Sequence, residues 1–337
     1  MTTTPAPAPA PARTGGPATT WSWHEGSFMS TAEARVPLTA QALQYGTGVF
    51  EGIRAHVLPG GRELAVFRLH DHYRRLLRSC RLLRIDLPYD ADDLARATVE
   101  LLRRNATPAD TYIRPLAYKL SMLAGTRPGV GLAGVSDAVS ISTFLMGHYA
   151  PPGGMRCALS SWRRPADGVL PVRAKVCGGY VNSALALDEA RAAGLDDAIL
   201  CNERGQVAEA TTANVFAVFG NRLVTPAATA DILEGITRDT VRTLGGDLRL
   251  GYEVRGVQRS ELLLADELFL TGTGLGIAPV VELAGRPIGD GVPGPVTRLL
   301  SERYTALVRG ELDDDRGWLT RVPLNPAPVP HPTEETS

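Results

Sequence analysis

Of the 35 lysine and arginine residues in this chain, only two, Lys119 and Lys175, are lysines. Arginine keeps its proton under all ordinary conditions. A lysine amine can lose its proton and attack a carbonyl to form a Schiff base. A chain that uses arginine for almost every cation therefore draws attention to its lysines as candidate nucleophiles, with an ordinary surface cation as the plain alternative. Lys175 sits in Val172-Arg173-Ala174-Lys175-Val176-Cys177-Gly178-Gly179-Tyr180. Small residues closed by a tyrosine suggest a turn packed against the amine. Lys119 reads as a strand or loop cation.

A Schiff-base lysine suggests pyridoxal phosphate. That cofactor asks for the lysine, an acid at the pyridine nitrogen, a donor near the ring hydroxyl, and N–H groups with an arginine for the phosphate. The chain offers candidates for each. Gly235-Ile236-Thr237-Arg238-Asp239 opens a predicted helix, whose free N-terminal N–H groups suit a phosphate. Thr271-Gly272-Thr273-Gly274 follows a predicted strand and supplies hydroxyls and a close-approach backbone. Taken singly, such turns and helix starts are mostly just that.

The elements that must hold these residues follow from periodicity and turn signals. Helical spacing of Leu69, Tyr73, Leu76, Leu77 and Cys80 predicts a helix over 68–83, with a second at 91–104. Further helices are expected at 181–193, ended by Gly194, and at 235–244 and 295–308. Strands are expected at 64–67, 111–123, 138–146, 155–162, 197–201, 206–209, 214–218, 222–224 and 267–271. Asn202-Glu203-Arg204-Gly205 and Gly220-Asn221 mark hairpin turns. Pro151-Pro152-Gly153-Gly154 marks a linker between two mixed halves. The ends are Pro-rich and read as loose tails.

Bulk properties exclude other classes. A length of 337 residues suits one large domain or two intertwined ones. A formal net charge of −1 gives no electrostatic case for nucleic acid or an anionic membrane. Four dispersed cysteines, with no C-x-x-C pair, argue against a zinc site and against a secreted disulfide framework. No apolar run reaches transmembrane length, and the N-terminus lacks signal-peptide features. The cytoplasm is the expected location, and no metal is expected.

The blocks in their order resemble the class IV aminotransferases, the branched-chain amino-acid aminotransferase group in particular. The resemblance runs from about Tyr45 to Trp318. It rests on Tyr45-Gly46-Thr47-Gly48-Val49-Phe50-Glu51-Gly52-Ile53-Arg54, Val66-Phe67-Arg68, Tyr112-Ile113-Arg114-Pro115 and Ala174-Lys175 with Tyr180. It continues through Glu209 with Asn214-Val215-Phe216, Leu233 with Gly235-Ile236-Thr237-Arg238-Asp239, and Gly272-Thr273. The resemblance implies an α+β, two-domain fold type IV architecture, like that of D-amino-acid aminotransferase. The expected parts are a disordered tail (1–20), an N-terminal α/β domain (21–147), a linker (148–154), a C-terminal mixed β domain with helices that binds the cofactor (155–321), and a Pro-rich tail (322–337).

The same resemblance implies roles. Lys175 is the Schiff-base lysine and proton shuttle, Glu209 the partner of the pyridinium nitrogen, and Tyr180 the bond to the ring hydroxyl. Arg68, Ile236, Thr237 and Thr273 form the phosphate cup, with Leu233, Gly235 and Gly272 beside them. Tyr112, with backbone N–H groups of Thr273 and Gly274, clamps the substrate α-carboxylate. Tyr45, Phe50, Gly52 and Tyr149 line the side-chain pocket, and Arg114 meets the distal carboxylate of glutamate. The implied activity moves the amino group of L-leucine, L-isoleucine or L-valine to 2-oxoglutarate in a homodimer or larger homo-oligomer. Three departures stand out: Gly179 where the family has asparagine, the segment 121–128, and Gly274 where alanine often follows the threonine. They keep alternatives open. These are a same-fold enzyme for a nonstandard or D-amino acid, a pyridoxal-phosphate lyase, or a non-catalytic cofactor or amino-acid sensor.

Overall fold

The computed structural model describes residues 20–122, 127–147 and 149–324. The expected N-terminal tail, up to residue 19, and most of the C-terminal one lie outside these, as does the centre of the 121–128 segment. Two sheets organise the described chain. In the first, the strands run in the order Leu319–Pro323, Glu63–Phe67, Ile53–Val57, Thr111–Met122, Val135–Leu145, Trp21–His24 and Ser27–Ser30, and Gly48–Phe50 also pairs with Thr111–Met122. Its ladders are antiparallel.

Two helices share a core with this sheet. Leu69–Leu82 buries Leu69, Tyr73, Leu76 and Cys80, the stripe that the 3.6-residue period predicts. Ala91–Asn105 begins at a capping box: the Asp90 carboxylate accepts from the N–H groups of Asp92 and Asp93, and the Asp93 carboxylate accepts from the Asp90 N–H in return. That satisfies N–H groups a helix start otherwise leaves unpaired.

The second sheet runs Val207–Ala210, Asp197–Cys201, Met155–Arg163, Gly276–Leu283, Glu267–Gly272, Asn214–Phe219, Arg222–Pro226 and Gly251–Arg255. It is mixed: Met155–Arg163 runs parallel to both of its neighbours, and Arg222–Pro226 runs parallel to Gly251–Arg255. Helices Tyr180–Ala192, Ile236–Asp247 and Pro295–Val308 complete this half.

The end of the chain departs from expectation. Leu319–Pro323 returns to the first sheet and pairs with Glu63–Phe67, and Val322 is fully buried in that core. Residues 319–321 therefore belong with the N-terminal sheet rather than the C-terminal domain, and the tail cannot begin at 322. The Pro-rich sequence that follows hides this strand from periodicity. Lys119 is the strand cation that was expected, and a buried one. It is 2 % exposed, and its amine pairs with Asp137 at 2.8 Å and donates to the Arg84 carbonyl.

Candidate active site

Lys175 is fixed from both halves. The Phe50 N–H donates to the Lys175 carbonyl at 3.1 Å, and Val49 bridges Val176. A little further on, the Gly178 N–H reaches the Gly46 carbonyl at 3.2 Å. Gly46 has φ +69°, and a Cβ there would stand 2.8 Å from the Gly178 Cα. Only a glycine meets both demands. The lysine Nζ then donates to the Tyr180 hydroxyl at 2.5 Å. Tyr180 is the first residue of helix Tyr180–Ala192, and its ring meets Phe50 edge-on at 4.7 Å. At Gly179 a Cβ would come within 2.6 Å of Leu170 Cδ2. Leu170 fills the space into which an asparagine side chain would have to fit.

Lys175 opens onto two adjoining cavities. The first is lined by Arg75, Arg164, Lys175, Tyr180, Glu209, Leu233, Gly235, Ile236, Thr237, Gly272 and Thr273, among others. Glu209 is buried there. Its Oε1 meets Arg164 at 2.7 Å, and its Oε2 accepts from the Asn214 amide at 3.0 Å and the Leu233 N–H at 3.1 Å. Burial pushes this carboxyl above the usual carboxylate range, and Arg164 opposes the shift. Helix Ile236–Asp247 begins at this cavity with Gly235 as its N-cap and no capping side chain. Its first N–H groups are therefore left for a ligand. The Thr271 hydroxyl on the cavity wall is buried without a partner among the described residues.

Arg68 is not on that lining. It pairs with Asp71 and Asp239, each at 2.7 Å, and donates to the Ile236 carbonyl at 3.3 Å, with its guanidinium over the Trp318 ring. It thus sits against the helix start, held in a left-handed conformation at φ 50°.

Phe50, Gly52, Tyr112, Arg114, Tyr149, Lys175, Thr273 and Gly274 line the second cavity, together with Leu116, Met146 and Cys177. Arg114 lies over the Phe50 and Tyr112 rings and donates to the Tyr112 hydroxyl at 3.0 Å. A Cβ on Gly52 would stand 2.2 Å from that hydroxyl, so this glycine makes room for Tyr112. Tyr45 is not brought in: it ends helix Gln41–Tyr45, 47 % exposed, and lines neither cavity.

Sequence reasoning missed Arg75 and Arg164. Arg75 lines both cavities and is bound through Nε and Nη2 to the fully buried Glu51, at 2.6 and 2.9 Å, while His72 Nδ1 lies 2.8 Å from the same carboxylate. Burial works against the Glu51 charge, but Arg75 and His72 outweigh it and hold the carboxyl well below the usual range. In a chain so rich in arginine, neither could be picked out by type, although Glu51 within the quoted motif was a pointer to a buried counter-charge.

A lysine amine, a buried carboxylate, a phenol and an open helix start around one cavity, with a second cavity beside the amine, define an amine-transfer enzyme of the class IV aminotransferase kind. The class IV aminotransferase family model matches residues 48–283, and this chain belongs to that family. A probable branched-chain-amino-acid aminotransferase of Aquifex aeolicus is 40 % identical over 304 residues, covering 90 % of this chain and 96 % of the relative. Among solved structures, the branched-chain aminotransferase of Thermoproteus uzoniensis with norvaline superposes with a TM-score of 0.85 at 40 % identity, over 90 % of this chain and all of the other. The branched-chain amino acid aminotransferase of Escherichia coli gives a TM-score of 0.84 at 34 % identity, over 90 % of this chain and all of the other. A further branched-chain amino acid aminotransferase, complexed with N-(5'-phosphopyridoxyl)-L-glutamate, gives 0.84 at 39 % identity over 90 % and 98 %.

Proposed function

We propose that this enzyme uses pyridoxal phosphate to move the amino group of L-leucine, L-isoleucine or L-valine to 2-oxoglutarate, with Lys175 as its central residue. The observation that carries this reading is the Lys175 amine at the junction of a cavity suited to the cofactor and one suited to an amino acid. The donor set fits the cofactor: Lys175 for its aldehyde carbon, Tyr180 for the ring hydroxyl, Glu209 for the ring nitrogen, and Thr237, Ile236 and Thr273 for the phosphate, with Arg68 against the helix start behind them rather than on the cavity wall. When bound, the cofactor supplies an electron-withdrawing ring that makes a Cα proton acidic.

This chain's residues do the rest. Glu209 faces the ring nitrogen as its acidic partner, and Arg164 opposes the burial that raises its carboxyl. The Lys175 amine holds and moves the proton at Cα, and Tyr180 keeps it oriented. Tyr112 and the N–H groups of Thr273 and Gly274 receive the α-carboxylate. Phe50, Leu116, Met146 and Cys177 give the second cavity an apolar wall for a branched side chain, and Arg114 at the same wall meets the second carboxylate of glutamate.

The relatives described above carry branched-chain names, which supports the substrate class. Among the described residues no helix is long and apolar enough to cross a membrane. The proposed location is the cytoplasm. The working unit is a homodimer or larger. Leu43 and Tyr45 on one short helix, and Phe144 and Leu145 at a strand end, are exposed in the single chain, and a second copy would cover them. The test is a half-reaction screen: L-leucine, L-isoleucine and L-valine discharge the visible absorbance of the bound cofactor, and 2-oxoglutarate restores it. Discharge only by D-amino acids or nonstandard donors would move the enzyme to a specialised substrate. No discharge by any amino acid would leave a sensor.

A further inference from the structure

Arg54 closes the first quoted motif, and the catalytic reading gives it no task. It is 5 % exposed, on strand Ile53–Val57 of the first sheet, and its guanidinium reaches across to the other half. Nη1 donates to the Gly274 carbonyl at 3.0 Å, and Nη2 donates to the Met146 carbonyl at 2.7 Å, with the Gly147 carbonyl and Asp110 Oδ2 each at 3.4 Å. Gly274 and Met146 both line the amino-acid cavity; Arg54 itself does not. Tyr149 and Met146 both come close to this turn: a Cβ on Gly274 would stand 3.3 Å from the Tyr149 hydroxyl and 3.7 Å from the Met146 sulfur.

We infer that Arg54 is a positioning residue for the substrate carboxylate, acting through the Thr273-Gly274 turn it grips from beneath. This rests on the reading that the turn's N–H groups receive that carboxylate. A glycine turn has wide backbone freedom, and bonding its carbonyl to a fixed cation removes much of it. The cation is fixed in turn by Asp110. That carboxylate is held by both Arg309 nitrogens, at 2.6 and 2.7 Å, and by the Val57 N–H at 3.0 Å. Arg309 follows helix Pro295–Val308 and also donates to the Val57 carbonyl. The chain Arg309–Asp110–Arg54–Gly274 therefore passes from the second half through the first and back to the carboxylate turn. A lysine at position 54 keeps the charge but lacks the fork that reaches two carbonyls at once.

The experiment compares the full-length holoenzyme with R54M, R54K and D110N. The probes are L-leucine turnover and binding of 4-methylvalerate, which has the carboxylate and lacks the amine. In R54M the KM for L-leucine and the Kd for 4-methylvalerate rise by roughly ten-fold or more, the scale of losing a charge-assisted bond. Cofactor content and its visible band stay unchanged, and kcat changes little. R54K recovers only part of the loss, and D110N shows the same split more weakly. If R54M does not fold, R54K and D110N carry the test. Unchanged KM and Kd in the folded variants would overturn the positioning role, as would loss of cofactor with normal KM in the remaining holoenzyme. An unmutated enzyme that turns over no 2-amino acid would instead overturn the site reading beneath it.

Discussion

At the scale of single residues, the lysine question has a physical answer. Lys119 is buried against Asp137, so its amine is committed to an ion pair, whereas Lys175 points at a phenol between two cavities. Lys175→Ala is expected to bind cofactor weakly and to lose turnover; full activity, or a reducible cofactor adduct on Lys119, would overturn the assignment. Glu209→Gln keeps the carboxylate's shape and its bond from Leu233 but removes the charge. The chemical step should slow by an amount on the order of 3 kcal/mol, the scale of a preorganised charge partner. Stopped-flow half-reaction rates equal to those of the unmutated enzyme would remove Glu209 from that role. Arg114→Ala should harm glutamate more than leucine, by roughly ten-fold in kcat/KM, because only glutamate offers a second carboxylate to the guanidinium. Equal losses for both substrates would make Arg114 structural.

At the scale of elements, the site depends on where a hairpin meets a helix start. Glu209 and Asn214 face each other across the hairpin formed by Val207–Ala210 and Asn214–Phe219. The Asn214 amide bonds Glu209 and the Leu233 carbonyl. Gly235, the N-cap of Ile236–Asp247, lies so close that a Cβ would stand 2.1 Å from Asn214 Oδ1. Gly235→Ala must therefore displace Asn214 or the helix start. The expected cost is about 1–3 kcal/mol of stability, with weaker cofactor binding. A titration of apoprotein with pyridoxal phosphate that shows unchanged affinity would mean the hairpin and the helix are not coupled in this way.

At the scale of the whole molecule, an arginine held by a buried ion pair in one half reaches the other. Arg75, on a helix of the first half, bonds Glu51 and also the Glu234 carbonyl of the second. Removing the Glu51 charge would leave Arg75 buried and unpaired, so Glu51→Gln should lose about 3–5 kcal/mol of unfolding free energy. The folded Glu51 carboxyl titrates below its ordinary value of 4.5. Its contribution is therefore complete above pH 4.5 and is lost as the pH falls toward the folded value. Denaturant unfolding should accordingly show a gap between the unmutated protein and Glu51→Gln that is constant near neutrality and shrinks in acid. A gap absent at neutral pH would show the pair to be energetically idle.

By itself the sequence determined the cofactor, the family and most of the elements. A rare lysine, ordered motifs and helix periodicity are local signals, and Leu69–Leu82 and Tyr180–Ala192 needed no more than those. The residues around Glu209 and Gly274 were decided by tertiary structure. Arg164 is 45 positions from Glu209, and Arg54 is 220 from Gly274; no spacing rule links such pairs, because the sheets bring them together. The last strand, Leu319–Pro323, was hidden for the same reason: its pairing lies with Glu63–Phe67, at the other end of the chain. Tyr45 marks the converse case. Its motif identifies it, yet the fold of one chain leaves it outside both cavities, because a motif specifies residue type and order and only packed elements specify which side chains share a space.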